Sequence, residues 1–98
     1  MENKKYITRK KEVIFTELDE DEAVLLSLEN KIYYSLNETG MAIWRLINGK
    51  RTIEDISAMV AGEFSVAAER INKPVLEFIK TLEKEKLIIL SESAKESN

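Results

Sequence analysis

The side chains that could do chemistry in this sequence are carboxylates, lysines, tyrosines, serines and threonines. The 98 residues contain no His and no Cys. This excludes an imidazole base, a thiolate nucleophile and a Cys/His zinc site. We therefore predict neither a bound metal nor another cofactor.

Three local patterns suggest a site, and each lacks a necessary part. The acidic run Asp19–Glu22 offers oxygen ligands, but no glycine follows to make the sharp turn typical of a cation loop. Tyr33 and Tyr34 have no base or phosphate-binding glycine loop beside them. The Gly49–Thr52 stretch looks like the end of a P-loop without its upstream glycine and strand. We therefore predict a solvated acidic turn and a protein that is not an enzyme.

Composition limits the class of protein and its partners. Lys and Arg number 15 against 18 Asp and Glu, a net charge of -3, whereas nucleic-acid binders usually have a basic excess. Charged residues make up 34% of the chain, and no apolar run approaches the length of about 18 residues that a membrane span needs. The charged N-terminus has no apolar segment behind it, unlike a signal peptide. We expect one cytoplasmic domain that binds neither nucleic acid nor membrane.

The first half of the chain has the period-two pattern of β-strands. Residues 13–17 are β-branched and aromatic, and apolar side chains alternate in residues 24–28 and 31–36. The links between these segments are short, and Asn30 favours a tight hairpin turn. We predict a three-stranded antiparallel sheet whose strands follow the order of the sequence.

From Asn37 onwards the apolar spacing becomes helical. Asn37 is a candidate N-cap for a first helix, and Gly49 is a candidate stop because glycine adopts positive φ without strain. Thr52 followed by Asp55 predicts a capping box at the start of a second helix. Ser65 is a candidate cap for a third helix.

The third helical pattern contains a proline. Pro74 removes a backbone donor and clashes with the preceding turn, so the helix either kinks there or begins near Lys73. Residues 87–90 follow as a short apolar strand. The pattern predicts an α+β fold, with an N-terminal three-stranded antiparallel sheet followed by three helices, similar to a winged helix-turn-helix. The apolar stripe of the third helix has the spacing of one helix face: Ile71, Val75, Phe78, Ile79 and Leu82.

Composition shifts divide the chain into three parts. Residues 1–11 are basic, and we predict a flexible N-terminus there. Residues 12–90 form the predicted domain. Residues 91–98 are rich in Ser, Glu and Lys, which predicts a disordered tail.

The last strand of the predicted sheet, residues 31–36, lies at its edge. An exposed edge presents unpaired N–H and C=O groups, to which an extended peptide can add as a further strand. The third helix, packed beside this edge, would form the other wall of a groove. The alternative is that the apolar residues of both elements are ordinary core: Ile32, Tyr34, Val75, Phe78 and Leu82.

Two other interpretations remain open. Three helices with a sheet also suggest a winged helix that reads DNA with its second and third helices. The third helix, however, carries both basic and acidic residues without a clear basic excess, and DNA binding depends on contacts to phosphates. Pairing of two 31–36 edges would instead form a dimer, so we expect a monomer or a weak homodimer.

Short motifs from Tyr33 onwards occur in one order and spacing. They are Tyr33–Trp44, Leu46–Gly49, Arg51–Ile56, Val75–Ile79, Leu82 and Leu87-Ile88. Together they resemble the PqqD-like family, the precursor-peptide recognition domains of ribosomally synthesised and post-translationally modified peptide pathways. In that family the second motif ends helix one as Leu-Leu-x-Gly, and the third opens helix two as Thr-h-x-x-h, where h is apolar. The resemblance covers about residues 13–90.

The resemblance implies a non-catalytic protein with a winged-helix-like fold and a groove between the third strand and the third helix. It implies that the leader segment of a precursor peptide binds there as an added strand and is presented to a modifying enzyme. Leu36, Trp44 and Ile47 would belong to the core. The implied strand wall is Lys31, Ile32, Tyr33, Tyr34 and Ser35, and the implied helix wall is Ile71, Val75, Phe78, Ile79 and Leu82.

Two features of this chain bear on that implication. Lys73-Pro74 stands where family members commonly have an acidic residue, and a changed helix angle would affect Ile71 most. The strand sequence Tyr-Tyr-Ser-Leu-Asn is similar to stand-alone recognition proteins of lasso-peptide systems, which work with a leader protease. Radical-SAM systems, including that of pyrroloquinoline quinone, use the same module. The sequence leaves the partner enzyme open between a radical-SAM protein and a leader protease.

Overall fold

The computed structural model describes residues 5–93 and has an α+β fold. The elements are β1 Tyr6–Arg9, β2 Val13–Asp19, β3 Glu22–Ser27, β4 Ile32–Leu36, α1 Glu38–Leu46, α2 Ile53–Glu63, α3 Ala68–Lys84 and β5 Ile88–Ser91. A three-stranded antiparallel sheet in the order β2-β3-β4 precedes the three helices, which confirms the predicted fold class. An additional two-stranded sheet pairs β1 with β5.

The three-stranded sheet places one face on the helices and the other in solvent. Because side chains alternate along a strand, Ala23, Leu25 and Ser27 of β3 all lie on the buried face. They join Leu36, Trp44 and Ile47 in a core shared with the helices. The predicted core positions of these last three residues are confirmed.

The N-terminus contradicts the predicted flexible segment. Residues 6–9 form β1, which pairs antiparallel with β5, and the side chain of Ile7 is fully buried. Ile7 also donates its backbone N–H to the carbonyl of Arg51. The sequence pattern did not indicate this strand because basic residues surround Ile7. Lysines and arginines can keep their charges in water while a single apolar side chain enters the core.

Both domain boundaries therefore move. Among the described residues, the regular elements run from β1 to β5, which includes Ser91. Residues 1–4 and 94–98, which belong to the predicted flexible ends, lie outside the described residues.

Arg9 fastens β1 to the end of α1. Its guanidinium donates a 2.6 Å hydrogen bond to the carbonyl oxygen of Trp44 and lies 5.0 Å from the centre of the indole ring. Partial burial of the guanidinium disfavours its charged form and lowers the pKa of Arg9 from its usual value. The same carbonyl accepts the backbone N–H of Ile47, so the guanidinium adds a cationic donor at the C-terminal end of the helix.

The starts of the first two helices follow the predicted capping. The Asn37 side chain accepts the N–H of Gly40, and α1 begins directly after it. Thr52 and Asp55 form the predicted reciprocal capping box. Gly49 has φ of 83°, which confirms the predicted left-handed residue after α1.

Helix α3 differs from its predicted start. It begins at Ala68 after Ala67, which gives no side-chain cap, and Ser65 instead takes a positive φ of 55° in the preceding turn. The helix continues through Pro74, so the alternative of a helix that begins near Lys73 is wrong. Pro74 is exposed, and its ring therefore lies on the side of the helix away from the core.

Within residues 5–93, none of the helices has the length and apolarity to cross a membrane.

Candidate functional site

Strand β4 forms one edge of the three-stranded sheet. In an antiparallel sheet, alternate residues direct both backbone groups to the same neighbouring strand. Leu28 donates its N–H to the carbonyl of Glu12 on the β2 side. The neighbouring Ser27, and with it Leu25 and Ala23, must therefore face β4.

This alternation fixes which backbone groups of β4 are free. Ser27, Leu25 and Ala23 stand opposite Ile32, Tyr34 and Leu36 in the register of the two strands. The N–H and C=O groups of the intervening residues, Tyr33 and Ser35, consequently face away from β3. Among residues 5–93 no further strand pairs with this edge, so these two residues can bond to an added strand.

The side chains of β4 divide between the two faces of the sheet. Ile32 and Tyr34 are half-buried on the helix side. Tyr33 is 75% exposed and lies on the opposite face, level with Leu26 and Ile14. Tyr33 therefore faces the edge through its backbone, while its ring points away from the helix.

Helix α3 runs beside this edge in the opposite direction to β4. The rings of Tyr34 and Phe78 lie 6.3 Å apart at a tilt of 54°. Further along, the Asn30 side-chain amide donates to the carbonyl of Glu85 at 3.1 Å. Asn30 therefore closes one end of the groove, and the contact between Tyr34 and Phe78 lies towards the other end.

The helix residues predicted to line the groove separate into two sets. Val75, Ile79 and Leu82 are fully buried. They belong to the core, as the alternative interpretation of the sequence had it, and have no surface for a ligand in this structure. Their spacing follows the core-facing stripe, which sequence periodicity does not distinguish from a groove wall. Ile71 and Phe78 are half-buried and supply the accessible apolar surface of the helix.

Lys31 lies in the turn before β4. Its φ is 58°, and its N–H donates to the carbonyl of Ser27 at 2.7 Å. The side chain is exposed near the end of the groove that Asn30 closes. Lys31 is therefore placed to contact a peptide through its charge, while the free backbone groups belong to Tyr33 and Ser35.

A cavity of about 380 Å³ occupies the other end of the groove. Tyr34, Ser35 and Phe78 line it together with Asp21 and Glu22. The sequence predicted these two carboxylates only as part of a solvated turn. Their position follows from the register, since Glu22 immediately precedes Ala23, the partner of Leu36.

The comparisons with known proteins match the elements of this groove. The model of the family described as Coenzyme PQQ synthesis protein D (PqqD) matches residues 22–88, a range that contains β3, β4 and all three helices. No curated protein matches the chain.

Two solved structures share the fold. One, described as TbiB1 in complex with the TbiA(beta) leader peptide, has 27% identity and a TM-score of 0.73, and covers 90% of this chain and 99% of that chain. The other, described as lasso peptide synthetase B1 complexed with the leader peptide, has 17% identity and a TM-score of 0.72. Its likeness covers 85% of this chain and 96% of that chain.

Proposed function

This chain belongs to the PqqD family, and from that premise we propose that it is a non-catalytic peptide chaperone. It binds the leader of a ribosomally synthesised precursor peptide by strand addition to β4 and presents it to a modifying enzyme. The observation that carries this proposal is the free edge at Tyr33 and Ser35, which lies beside the half-buried ring of Phe78.

The geometry of the groove fits an extended peptide. Backbone groups of Tyr33 and Ser35 supply the pairing, and such main-chain bonds support binding of many sequences. Ile32, Tyr34 and Phe78 supply apolar contacts for alternate side chains of the added strand. Both solved structures with this fold are described as complexes with leader peptides, which supports the same kind of ligand here.

The proposed peptide-binding residues fall into three roles. Tyr33 and Ser35 act through the backbone, and Lys31 acts through its exposed charge. Ile32, Tyr34, Ile71 and Phe78 offer side-chain surface, while Val75, Ile79 and Leu82 support the helix wall from below. None of these roles needs an acid, a base, a metal or a cofactor.

The partner enzyme is a radical-SAM protein or a leader protease, and the likeness over 99% of the leader-bound TbiB1 chain favours a stand-alone recognition protein. A recognition protein of this kind acts in the cytoplasm, where precursor peptides are translated. The DNA-binding alternative has no observation in its favour, because the strand after α3 pairs with β1 and does not form a wing hairpin.

Affinity capture followed by hydrogen exchange tests the proposal. The tagged full chain is recovered from its native host, the short peptide that co-purifies is sequenced, and its leader is synthesised. We expect this peptide to slow amide exchange at Tyr33 and Ser35, whose N–H groups face the free edge, and to leave Tyr34, which already faces β3, unchanged. Protection on β2 without protection at Tyr33 and Ser35 would contradict the proposal.

A further inference from the structure

The short strand β5 also has a free edge, which the proposed groove does not use. Lys10 donates its N–H to the carbonyl of Leu87, and the register then pairs Thr8 with Ile89. Ile7, opposite Leu90, directs its backbone groups away from β5, to Arg51 and Gly49. By the same alternation, the backbone groups of Ile88 and Leu90 face away from β1.

This edge borders a cleft of about 610 Å³. Ile88, Ile89 and Leu90 line one side of it, and Glu29 and Asn30 of the β3–β4 turn line another. Within residues 5–93 no strand pairs with this side of β5. The cleft therefore has what an extended main chain requires, namely unpaired backbone groups along one wall.

The charges around the cleft suit a polar peptide better than an apolar ligand. Lys10 and Glu29 are ion-paired at 3.6 Å across one wall. Glu83 and Lys86 are both exposed and line the cleft, and neither forms an ion pair within residues 5–93. A peptide in the cleft meets one free carboxylate and one free ammonium group.

The position of Asn30 connects the cleft to the proposed groove. Asn30 bonds to the carbonyl of Glu85 at the closed end of the groove and also lines the cleft. A peptide strand that pairs with β4 and crosses over the Asn30–Glu85 contact at this end enters the cleft. The occupant that continuity favours is thus a further part of the same peptide.

We propose that the cleft beside β5 is a second subsite, which holds the flank of the leader that leaves the β4 groove past Asn30. This inference rests on the proposed function. The flank pairs through its backbone with Ile88 and Leu90, and its charged side chains meet Glu83 and Lys86. With two short strand additions, the protein recognises a longer stretch of the peptide than β4 alone can pair with.

Hydrogen exchange with leaders of different length tests the subsite. Three synthetic peptides are used: the full leader of the precursor captured from the native host, and two versions that lack one flank each. We expect the full leader to slow exchange at Ile88 and Leu90, while Ile89, already bonded to β1, is unchanged. One shortened peptide should lose this protection, keep that at Tyr33 and Ser35, and bind about tenfold more weakly.

A charge-reversed protein gives an independent measurement. The double variant Glu83→Lys and Lys86→Glu exchanges the two exposed charges and keeps the net charge of the chain. We expect it to change the affinity for the full leader and to leave that for the peptide without the flank unaltered. Protection at Tyr33 and Ser35 without any at Ile88 and Leu90 would overturn the subsite alone, whereas no protection at Tyr33 and Ser35 would overturn the proposed function.

Discussion

At the scale of single residues, the proposed function depends on the backbone of Ser35 more than on its side chain. Proline there removes an N–H that faces the free edge, and proline is tolerated at such edges. We expect Ser35→Pro to reduce leader affinity at least tenfold, because it removes one bond and places its ring against the added strand. Titration calorimetry measures the loss.

The matched variant Ser35→Ala removes the hydroxyl and keeps the N–H. It should bind the leader as the unchanged protein does, and circular dichroism should show that both variants keep the fold. Equal binding by Ser35→Pro and Ser35→Ala would show that this N–H does not pair with the peptide.

Phe78 makes the apolar contact between the helix wall and the strand wall. Its ring packs on Tyr34 at the cavity end of the groove, and aromatic pairs of this kind contribute about 0.5–1.5 kcal/mol beyond burial. We expect Phe78→Ala to weaken leader binding about tenfold, as measured by fluorescence anisotropy of a labelled leader.

Phe15→Ala is the control for Phe78→Ala. Phe15 is also half-buried, but it lies on β2 and packs under Arg45, away from the β4 edge. It should lower stability without changing affinity. Similar losses of affinity in both variants would show a general effect on the fold rather than a contact with the peptide.

At the scale of elements, β1 is the part that the sequence conceals. Ile7 is fully buried on β1, which lies between β5 and the loop before α2, and truncation of such a side chain typically costs about 2–5 kcal/mol. We expect Ile7→Ala to lower the free energy of unfolding by that amount in urea denaturation.

Ile14→Ala makes the same chemical change at a position that is 44% exposed on the outer face of the sheet. It should cost well under half as much. If the two variants were equally stable, β1 would not be part of the cooperative fold, and the predicted flexible N-terminus would regain support.

Pro74 inside helix α3 lowers the free energy of unfolding, and replacing it should restore part of that stability. Alanine at position 74 restores the N–H that bonds to the carbonyl of Arg70, and proline inside a helix is about 3 kcal/mol less favourable than alanine. Proline also restricts the unfolded chain, which returns about 0.4–1 kcal/mol. We therefore expect Pro74→Ala to raise the free energy of unfolding by about 2 kcal/mol.

Lys73→Ala is the neighbouring control, since lysine and alanine differ little in helix propensity. It should change the free energy of unfolding by only a few tenths of a kcal/mol. A loss of stability in Pro74→Ala would mean that the proline ring makes contacts that the helix needs.

At the scale of the whole molecule, local signals predicted most of the architecture. Asn37, Thr52 and Asp55 mark helix starts because their side chains bond to nearby backbone groups, and the period-two pattern of residues 24–36 marks the sheet. These interactions join residues that are close together in the sequence, so the sequence alone can reveal them. The pairing of Ile7 with Leu90 joins positions that are far apart, and one apolar residue among charges gives no periodic signal.

The candidate site shows the same limit. The β4 edge follows from counting strands, so its location was predictable. The separation of α3 into the buried Val75, Ile79 and Leu82 and the accessible Phe78 depends on the angle at which the helix packs. Periodicity gives one stripe for both sets, and only the packed structure assigns the residues to core or groove.

The free edges of β4 and β5 also bear on self-association. The Cα radius of gyration is 12.9 Å, which is that of a compact single chain of about 100 residues. A homodimer formed by β4 edges would use the N–H and C=O groups of Tyr33 and Ser35, the same groups that the proposed leader uses. Dimer and leader complex would therefore exclude each other.

We expect the chain to be a monomer at low micromolar concentration and to dimerise weakly at most when concentrated. Light scattering over a dilution series measures this, and saturating leader should abolish any dimer that pairs through β4. Ser35→Pro should abolish the same dimer without leader, because edge pairing fails on both partners at once. A dimer that persists in Ser35→Pro, and in the unchanged chain under saturating leader, would lie on another surface, and the β4 edge would remain free for the peptide.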